Sequence, residues 1–257
     1  MYDTIKKQNI STFLLELAEK CIELINSNKS ISVDLKNDGS PVSNIDLEVD
    51  RLIKSNLKIL NIRIPIISEE SFLNKIDFLE ELYWIIDPID GTKSFIRGGE
   101  EFTVNVALIH KGMPIISMIC HPPSNKIWIG RDGKLEIYHN MKMLNFKKNK
   151  PFWKKPIIIT SRYNNDKTKK FIGKISSKDI IYMSSSLKFC ELVESKANLY
   201  PRLSIINKWD IAAGHGILKS VGGVITDTKG YEIRYDTPSE KISEFIASDT
   251  EDWLDRV

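Results

Sequence analysis

Two aspartates three residues apart end an apolar run at Trp84-Ile85-Ile86-Asp87-Pro88-Ile89-Asp90, and Gly91-Thr92 follows them. A buried carboxylate is costly unless something positive neutralises it. A strand here delivers both carboxylates to one point at its carboxyl end, where a hard divalent cation is the natural partner. Gly91 and Thr92 then offer backbone N–H groups and a hydroxyl beside that cation, which suits a phosphate. A capping aspartate and a turn aspartate ahead of a helix would also fit Pro88 and Gly91. That simpler reading does not account for an apolar strand that stops there with Thr92 behind it. The pattern points to metal-dependent chemistry on a phosphorylated substrate.

Other acids can join this pair. Glu69 and Glu70 lie just past a short β-branched run, 18 residues before Asp87. If the two strands are neighbours, Glu69 reaches the same point as Asp87, although two acids in an exposed loop are common. Trp209-Asp210-Ile211-Ala212-Ala213-Gly214-His215-Gly216 places Asp210 in the first turn of a helix flanked by small residues. Such a helix can approach another backbone closely, though Asp210 could also be an ordinary first-turn acid. His215, one turn on, reads as a packing histidine rather than a ligand. Haloacid-dehalogenase phosphatases use Asp-x-Asp-Gly-Thr with the first aspartate as nucleophile. The present Asp-Pro-Ile-Asp-Gly-Thr is one residue longer and stands a third of the way along the chain, so that chemistry is excluded.

These residues need elements to hold them. Leu14, Leu17, Ala18, Cys21, Leu24 and Ile25 follow helical spacing and predict an amphipathic helix over 4–27. Leu47, Ile53, Leu57 and Leu60 predict a second over 44–60, after turn chemistry at Asp38-Gly39-Ser40-Pro41. Strands are predicted at 64–67 and 82–87, then at 102–109, 114–120, 126–130 and 135–139, punctuated by Gly112, Pro123 and Asp132-Gly133. From Pro156 strands at 157–160, 180–183, 197–201 and 224–226 alternate with helices at 166–175, 186–195 and 209–221. The basic segment 140–155 is the boundary this change of texture suggests. It divides an N-terminal α+β half, 1–150, from a C-terminal α/β half, 151–257. No internal repeat or low-complexity tract is visible.

The chain has 257 residues, 42% apolar and 28% charged, which is ordinary for a globular protein with a sizeable core. Its net charge of +3, from 37 basic and 34 acidic residues, suits an anionic small molecule and is too small to argue for nucleic acid. The basic run Lys147–Lys155, with Phe152 and Trp153, reads as a solvated linker. Cys21, Cys120 and Cys190 show no CxxC spacing, so a zinc site is not indicated. An odd count of buried thiols fits a reducing cytoplasm. The first sixteen residues carry charges and no signal-peptide core. Apolar stretches such as Pro114–Cys120 are too short to span a bilayer, and association with the inner membrane surface is left open.

Trp84–Thr92 and Trp209–Gly214 together resemble the two motifs of the inositol-monophosphatase-like superfamily of lithium-sensitive phosphatases, and the resemblance covers nearly the whole chain. Within it the chain is most similar to the CysQ-type 3′(2′),5′-bisphosphate nucleotidases. Gly91–Ile96, Gly99–Asn105, Ser185–Cys190, Leu199-Tyr200-Pro201-Arg202 and Gly214-His215 carry that likeness. The resemblance implies a mixed α/β fold, a layered αβαβα sandwich of the sugar-phosphatase type. It implies Mg²⁺ as cofactor, two or three ions per site. Glu69, Asp87 and the Ile89 carbonyl would hold one ion, and Asp87, Asp90 and Asp210 a second. Metals ~3.5–4 Å apart stabilise both attacking and leaving oxygens of an in-line displacement. Thr92, oriented by Asp46, would act with Glu69 on the attacking water, and the Gly91 and Thr92 N–H groups would receive the scissile phosphate. Ser185, Lys188 and Arg202 would surround the nucleotide and its second phosphate, with Asp210 also touching substrate.

The implied reaction is hydrolysis of 3′-phosphoadenosine 5′-phosphate to AMP and phosphate, recycling a by-product of sulfate activation. The implied partner is that small nucleotide, with no nucleic acid and no transmembrane segment. One departure stands out: the family's Ser-Arg-Ser-His appears as Ser161-Arg162-Tyr163-Asn164, so Asn164 replaces a histidine expected near the nucleotide. An inositol or sugar monophosphatase on the same scaffold is the alternative, and a non-catalytic nucleotide-binding protein is another of a different class. The sequence does not set the oligomeric state.

Overall fold

The computed structural model describes residues 9–28, 30–60, 63–71, 80–131, 133–148 and 154–256. α1 (Ile10–Ser27) and α2 (Asn44–Leu60) are the two amphipathic helices foreseen, with α1 beginning at Ile10; positions 4–8 lie outside the described residues. Between them a two-stranded hairpin, β1 (Val33–Leu35) and β2 (Pro41–Ser43), was not foreseen. Its first strand is exposed along its length, so no alternation of polar and apolar residues marks it.

A seven-stranded sheet follows, in the order β3 (Ile66–Ser68), β4 (Leu82–Asp90), β5 (Thr103–His110), β6 (Met113–His121), β7 (Lys126–Arg131), β8 (Lys134–His139) and β9 (Lys142–Met143). β3 runs parallel to β4 and the remaining pairs are antiparallel. Lys111-Gly112 joins β5 to β6 with both residues at positive φ, the backbone of a tight hairpin turn.

The C-terminal elements are β10 (Ile157–Thr160), α4 (Asp166–Lys174), β11 (Asp179–Tyr182), α5 (Leu187–Val193), β12 (Leu199–Arg202), α6 (Trp209–Lys219), β14 (Val224–Thr226) and β16 (Phe245–Ser248). A small pair, β13 (Ile206–Asn207) and β15 (Lys241–Ile242), lies among them. Their five-stranded sheet has the order β11-β10-β12-β16-β14.

Strand alternation decides the layers. Trp84, Ile86, Val104 and Val106 pack against Leu14, Leu17, Ile45 and Val49 of α1 and α2. Tyr83, Ile85, Ala107 and Ile109 point the other way, into a core shared with Phe189, Ile211 and Ala212 of α5 and α6 and with Tyr200 and Phe245 of the second sheet. Ile158, Leu199 and Ile246 face outward beneath Ile172 of α4 and Trp253. Helices, sheet, helices, sheet and helix therefore stack in the αβαβα order. The small residues of α6 permit this: a Cβ at Gly214 would lie 2.1 Å from the Phe189 ring, and one at Gly216 would lie 1.8 Å from Ser117 Oγ.

Positions 149–153 of the basic segment, with Phe152 and Trp153, lie outside the described residues. Lys148 beside them is tied down, its ammonium donating to the carbonyls of Val221 (3.2 Å) and Asp249 (2.6 Å). All three cysteines are free and buried. Among the described residues no helix is long and apolar enough to cross a membrane.

Candidate metal and phosphate site

β4 does not stop at Asp87. It continues to Asp90 through an irregularity in which Asp87 pairs with Asn105 and Asp90 with Thr103. Pro88 and Ile89 on β4 thus oppose Val104 alone on β5, a one-residue bulge. An odd separation would normally send the two aspartates to opposite faces. The bulge returns them to one face, and Pro88, which has no N–H to donate, sits where the ladder is already broken.

β3 supplies the next acid. Its register, Ile67 with Ile85 and Ser68 with Ile86, brings Glu69 beside Asp87 as foreseen. α6 brings Asp210 in its first turn. Carboxylate oxygens of Glu69, Asp87 and Asp210 lie within 4.8 Å of one another. Asp87 is 1% exposed, and neither of its oxygens accepts a hydrogen bond. Burial pushes its pKa well up, and the charges of Glu69, Asp90 and Asp210 push it further. Asp210 is raised in the same way, by burial first and then by Asp90 and Glu69. Asp210 keeps one bond, from the Asn207 N–H to Oδ2 at 3.2 Å, but an unpartnered Asp87 among mutually repelling carboxylates, with only oxygen donors, fits a hard divalent cation.

One cation of the chain already reaches this cluster. Lys36, just past β1, donates to Glu69 Oε1 at 2.6 Å and Glu70 Oε1 at 2.8 Å. Burial alone would lower the Lys36 pKa, but the two carboxylates outweigh it and hold the ammonium above its usual range. Glu70 is raised to about 7, chiefly by burial.

Thr92 opens α3 (Thr92–Ile96), and its hydroxyl lies 3.1 Å from Asp46 Oδ1 and 3.0 Å from the Ile89 carbonyl. Asp46, in the first turn of α2, is itself held at Oδ2 by the Ser43 N–H (2.8 Å) and the Ser43 hydroxyl. Its burial raises its pKa against the opposing pull of those bonds. Gly91 has φ +100°, and a Cβ there would lie 2.7 Å from the Glu101 carbonyl, so only glycine fits.

The residues singled out for a nucleotide face the same cleft. It measures about 380 Å³ and is lined by Glu69, Asp87, Asp90 and Asp210 together with Ser185, Lys188 and Arg202. Lys188 is 4% exposed; its ammonium donates to the carbonyls of Ser185 (2.5 Å) and Met183 (3.3 Å) and stands 5.2 Å from the Tyr200 ring centre. Arg202 donates through Nη1 to Ser161 Oγ at 3.3 Å, while its buried Nε has no hydrogen-bond partner.

Asn164 turns its side chain to its own loop, accepting from Thr160 Oγ1 (3.1 Å) and donating to the Ser161 carbonyl (2.8 Å). It lines a neighbouring cavity rather than the cleft. His215 packs against Tyr235, buried, with burial lowering its pKa.

Lys36, Ser186 and Asn105 escaped the sequence reading as site residues. A signal existed for Asn105 alone, a polar side chain inside the apolar strand Thr103–His110. Asp90 Oδ2 accepts from Ser186 Oγ at 2.7 Å and from Asn105 Nδ2 at 3.3 Å.

A sequence profile of the inositol monophosphatase family matches residues 6–254. The chain belongs to that family. Among its relatives is the 3′(2′),5′-bisphosphate nucleotidase CysQ of Buchnera aphidicola, 36% identical over 88% of this chain and 86% of that protein. CysQ of Escherichia coli K12 is 33% identical over 85% of this chain and 89% of that protein. The crystal structure of CysQ from Bacteroides thetaiotaomicron superimposes with a TM-score of 0.76 at 26% identity, covering 92% of this chain and 94% of that one. The family's fold is the layered sandwich described above.

Proposed function

We propose that this member of the metal-dependent inositol monophosphatase family is a 3′(2′),5′-bisphosphate nucleotidase, hydrolysing 3′-phosphoadenosine 5′-phosphate to AMP and phosphate. The observation that carries the substrate choice is the cationic part of the cleft lining: Lys188 and Arg202 share a single 380 Å³ space with the acids. One phosphate among acids calls for bound cations, whereas a second phosphate calls for Lys or Arg. The CysQ relatives carry that activity in their names. We place the reaction in the cytoplasm, which the three buried free thiols suit.

In this reading Glu69, Asp87 and the Ile89 carbonyl hold one Mg²⁺, and Asp87, Asp90 and Asp210 hold a second. When bound, Mg²⁺ supplies Lewis-acid stabilisation of charge on the phosphoryl oxygens. Phosphoryl transfer needs mainly positioning and positive charge, with no covalent nucleophile. Asp46 accepts the Thr92 proton and so turns a lone pair of Thr92 Oγ1 toward the attacking water. Glu69 would take the proton that the water releases as the bond from phosphorus to the 3′-oxygen breaks, and that oxygen leaves as the hydroxyl of AMP after taking a proton from solvent. The N–H groups of Gly91 and Thr92 receive the scissile phosphate, and Ser185, Lys188 and Arg202 hold the 5′-phosphate.

Lys188→Met and Arg202→Met test the assignment. Each should raise KM for the bisphosphate nucleotide at least about tenfold, the loss of one charge-assisted bond, with little change in kcat. Hydrolysis of a monophosphate such as inositol 1-phosphate should be unaffected. An equal loss on both substrates would sink the nucleotide assignment.

A further inference from the structure

The geometry points to Ser186 as a positioning residue that orients Asp90 for cation binding, with Asn105 fixing its hydroxyl. The inference rests on the metal reading above and assigns work to two side chains that reading leaves idle. Ser186 and Asn105 are each 1% exposed. The Asn105 amide group has two protons; Nδ2 lies 2.9 Å from Ser186 Oγ and 3.3 Å from Asp90 Oδ2. The Ser186 oxygen thus receives one proton and has one to give. Its acceptors are Asp90 Oδ2 at 2.7 Å and the Asp210 carbonyl at 3.0 Å. A closed triangle of hydrogen bonds therefore commits one oxygen of Asp90 to the protein and leaves the other for a cation.

Nothing in the local structure of α5 calls for this hydroxyl. Ser186 occupies the N-cap position of that helix, yet its side chain makes no capping hydrogen bond there. It donates instead toward β4 and α6, where it stands between two of the acids, Asp90 and Asp210. Asn105 reaches the same point from β5, so four elements from both sheets' surroundings meet at one hydroxyl. The terminal torsion of an aspartate is soft, so a carboxylate without such donors swings widely about it. Hydrogen-bonded partners of ligating carboxylates typically matter ten- to a hundredfold in metal affinity.

The test is calorimetric titration of Mg²⁺ into the metal-free protein without substrate, beside thermal melting in chelator. Ser186→Ala should weaken Mg²⁺ binding about tenfold. Ser186→Cys, which fills the same space with a weak donor, should weaken it similarly, and both should melt within a few degrees of wild type. Asn105→Ala should weaken binding too, and the double variant should lose much less than the product of the single losses, because the two act through one carboxylate. Unchanged Mg²⁺ affinity in Ser186→Ala or Ser186→Cys, with wild type binding normally, overturns the role of Ser186. Losses that simply multiply overturn the shared triangle. A wild-type protein that takes up no Mg²⁺ overturns the metal site itself, and is recognised apart from either.

Discussion

Asp87 sits at 1% exposure with no donor to either oxygen, among three other acids. Neutralising it should help the fold and end the chemistry. Asp87→Asn and Asp210→Asn are expected to melt at or above the wild-type temperature in chelator, since each removes a buried like charge. Both should lose about 10³-fold or more in turnover, the loss of several kcal/mol of charge stabilisation. Wild-type turnover in either variant would refute the metal assignment. Thr92→Val keeps the shape but removes the hydroxyl that Asp46 orients, and should lower kcat about a hundredfold, the usual share of a positioned proton-transfer group. The acids could be read from the sequence because their spacing on apolar strands has no cheap structural explanation. Ser186 could not, because it lies in a run of three serines, and only the packing of α5 on α6 distinguishes one from the next. Lys36 was equally hidden, since a lysine beside a turn usually faces water.

At the scale of elements, the decisive device is the bulge in β4, which no strand pattern announces. The sequence suggests a strand ending at Asp87; the structure carries it to Asp90 and uses the extra residue to align both aspartates. The central strands of the first sheet, β4 and β5, are buried on both faces and readable as near-continuous apolar runs, whereas β1, β13, β15 and β16 are too short or too exposed to show such a pattern. α6 announces its close packing through its glycines. Gly214→Ala would press a methyl group into the Phe189 ring, and should destabilise by about 1–3 kcal/mol, read as a fall of several degrees in melting temperature. An unchanged melting temperature would contradict the packing of α6 on α5. The hairpin acts through Lys36. Lys36→Met leaves Glu69 and Glu70 without their cation. The melting temperature in chelator should then fall, and the stabilisation added by Mg²⁺ should grow relative to wild type. A smaller Mg²⁺ effect than in wild type would mean that Lys36 supports the cation instead of standing in for it.

At the scale of the whole molecule, α5 and α6 are a layer between two sheets, so Asp87 and Asp90 of the first sheet, Lys188 and Asp210 of the helical layer and Arg202 of the second sheet meet over one core. The change of texture near residue 156 was visible as a shift from meandering strands to alternating strands and helices. That the intervening basic segment docks back through Lys148 was not, because the acceptors are backbone carbonyls of Val221 and Asp249. Asp249 itself offers a pH test of this packing. Burial raises its pKa from 3.8 to about 6, against the opposing hydrogen bond from Asn198 and the charge of Lys148. The folded state thus favours the protonated acid. The penalty is absent below pH 3.8, grows as pH rises through the interval and is complete above about 6. Asp249→Asn should therefore stabilise the protein at pH 7.5 by about 1–3 kcal/mol, with the gain vanishing near pH 4. A variant less stable than wild type at pH 7.5 would show that the carboxylate is held by partners stronger than these.

A cation site and a second-phosphate site joined in one cleft should select a bisphosphate nucleotide. Initial rates of phosphate release should be measured with 3′-phosphoadenosine 5′-phosphate, inositol 1-phosphate and fructose 1,6-bisphosphate, each with Mg²⁺ and with chelator. Release from the nucleotide, with AMP as the other product, should exceed both rivals in kcat/KM and vanish in chelator. Preference for inositol 1-phosphate, or nucleotide hydrolysis that survives chelation, would contradict that joining of cation and phosphate sites.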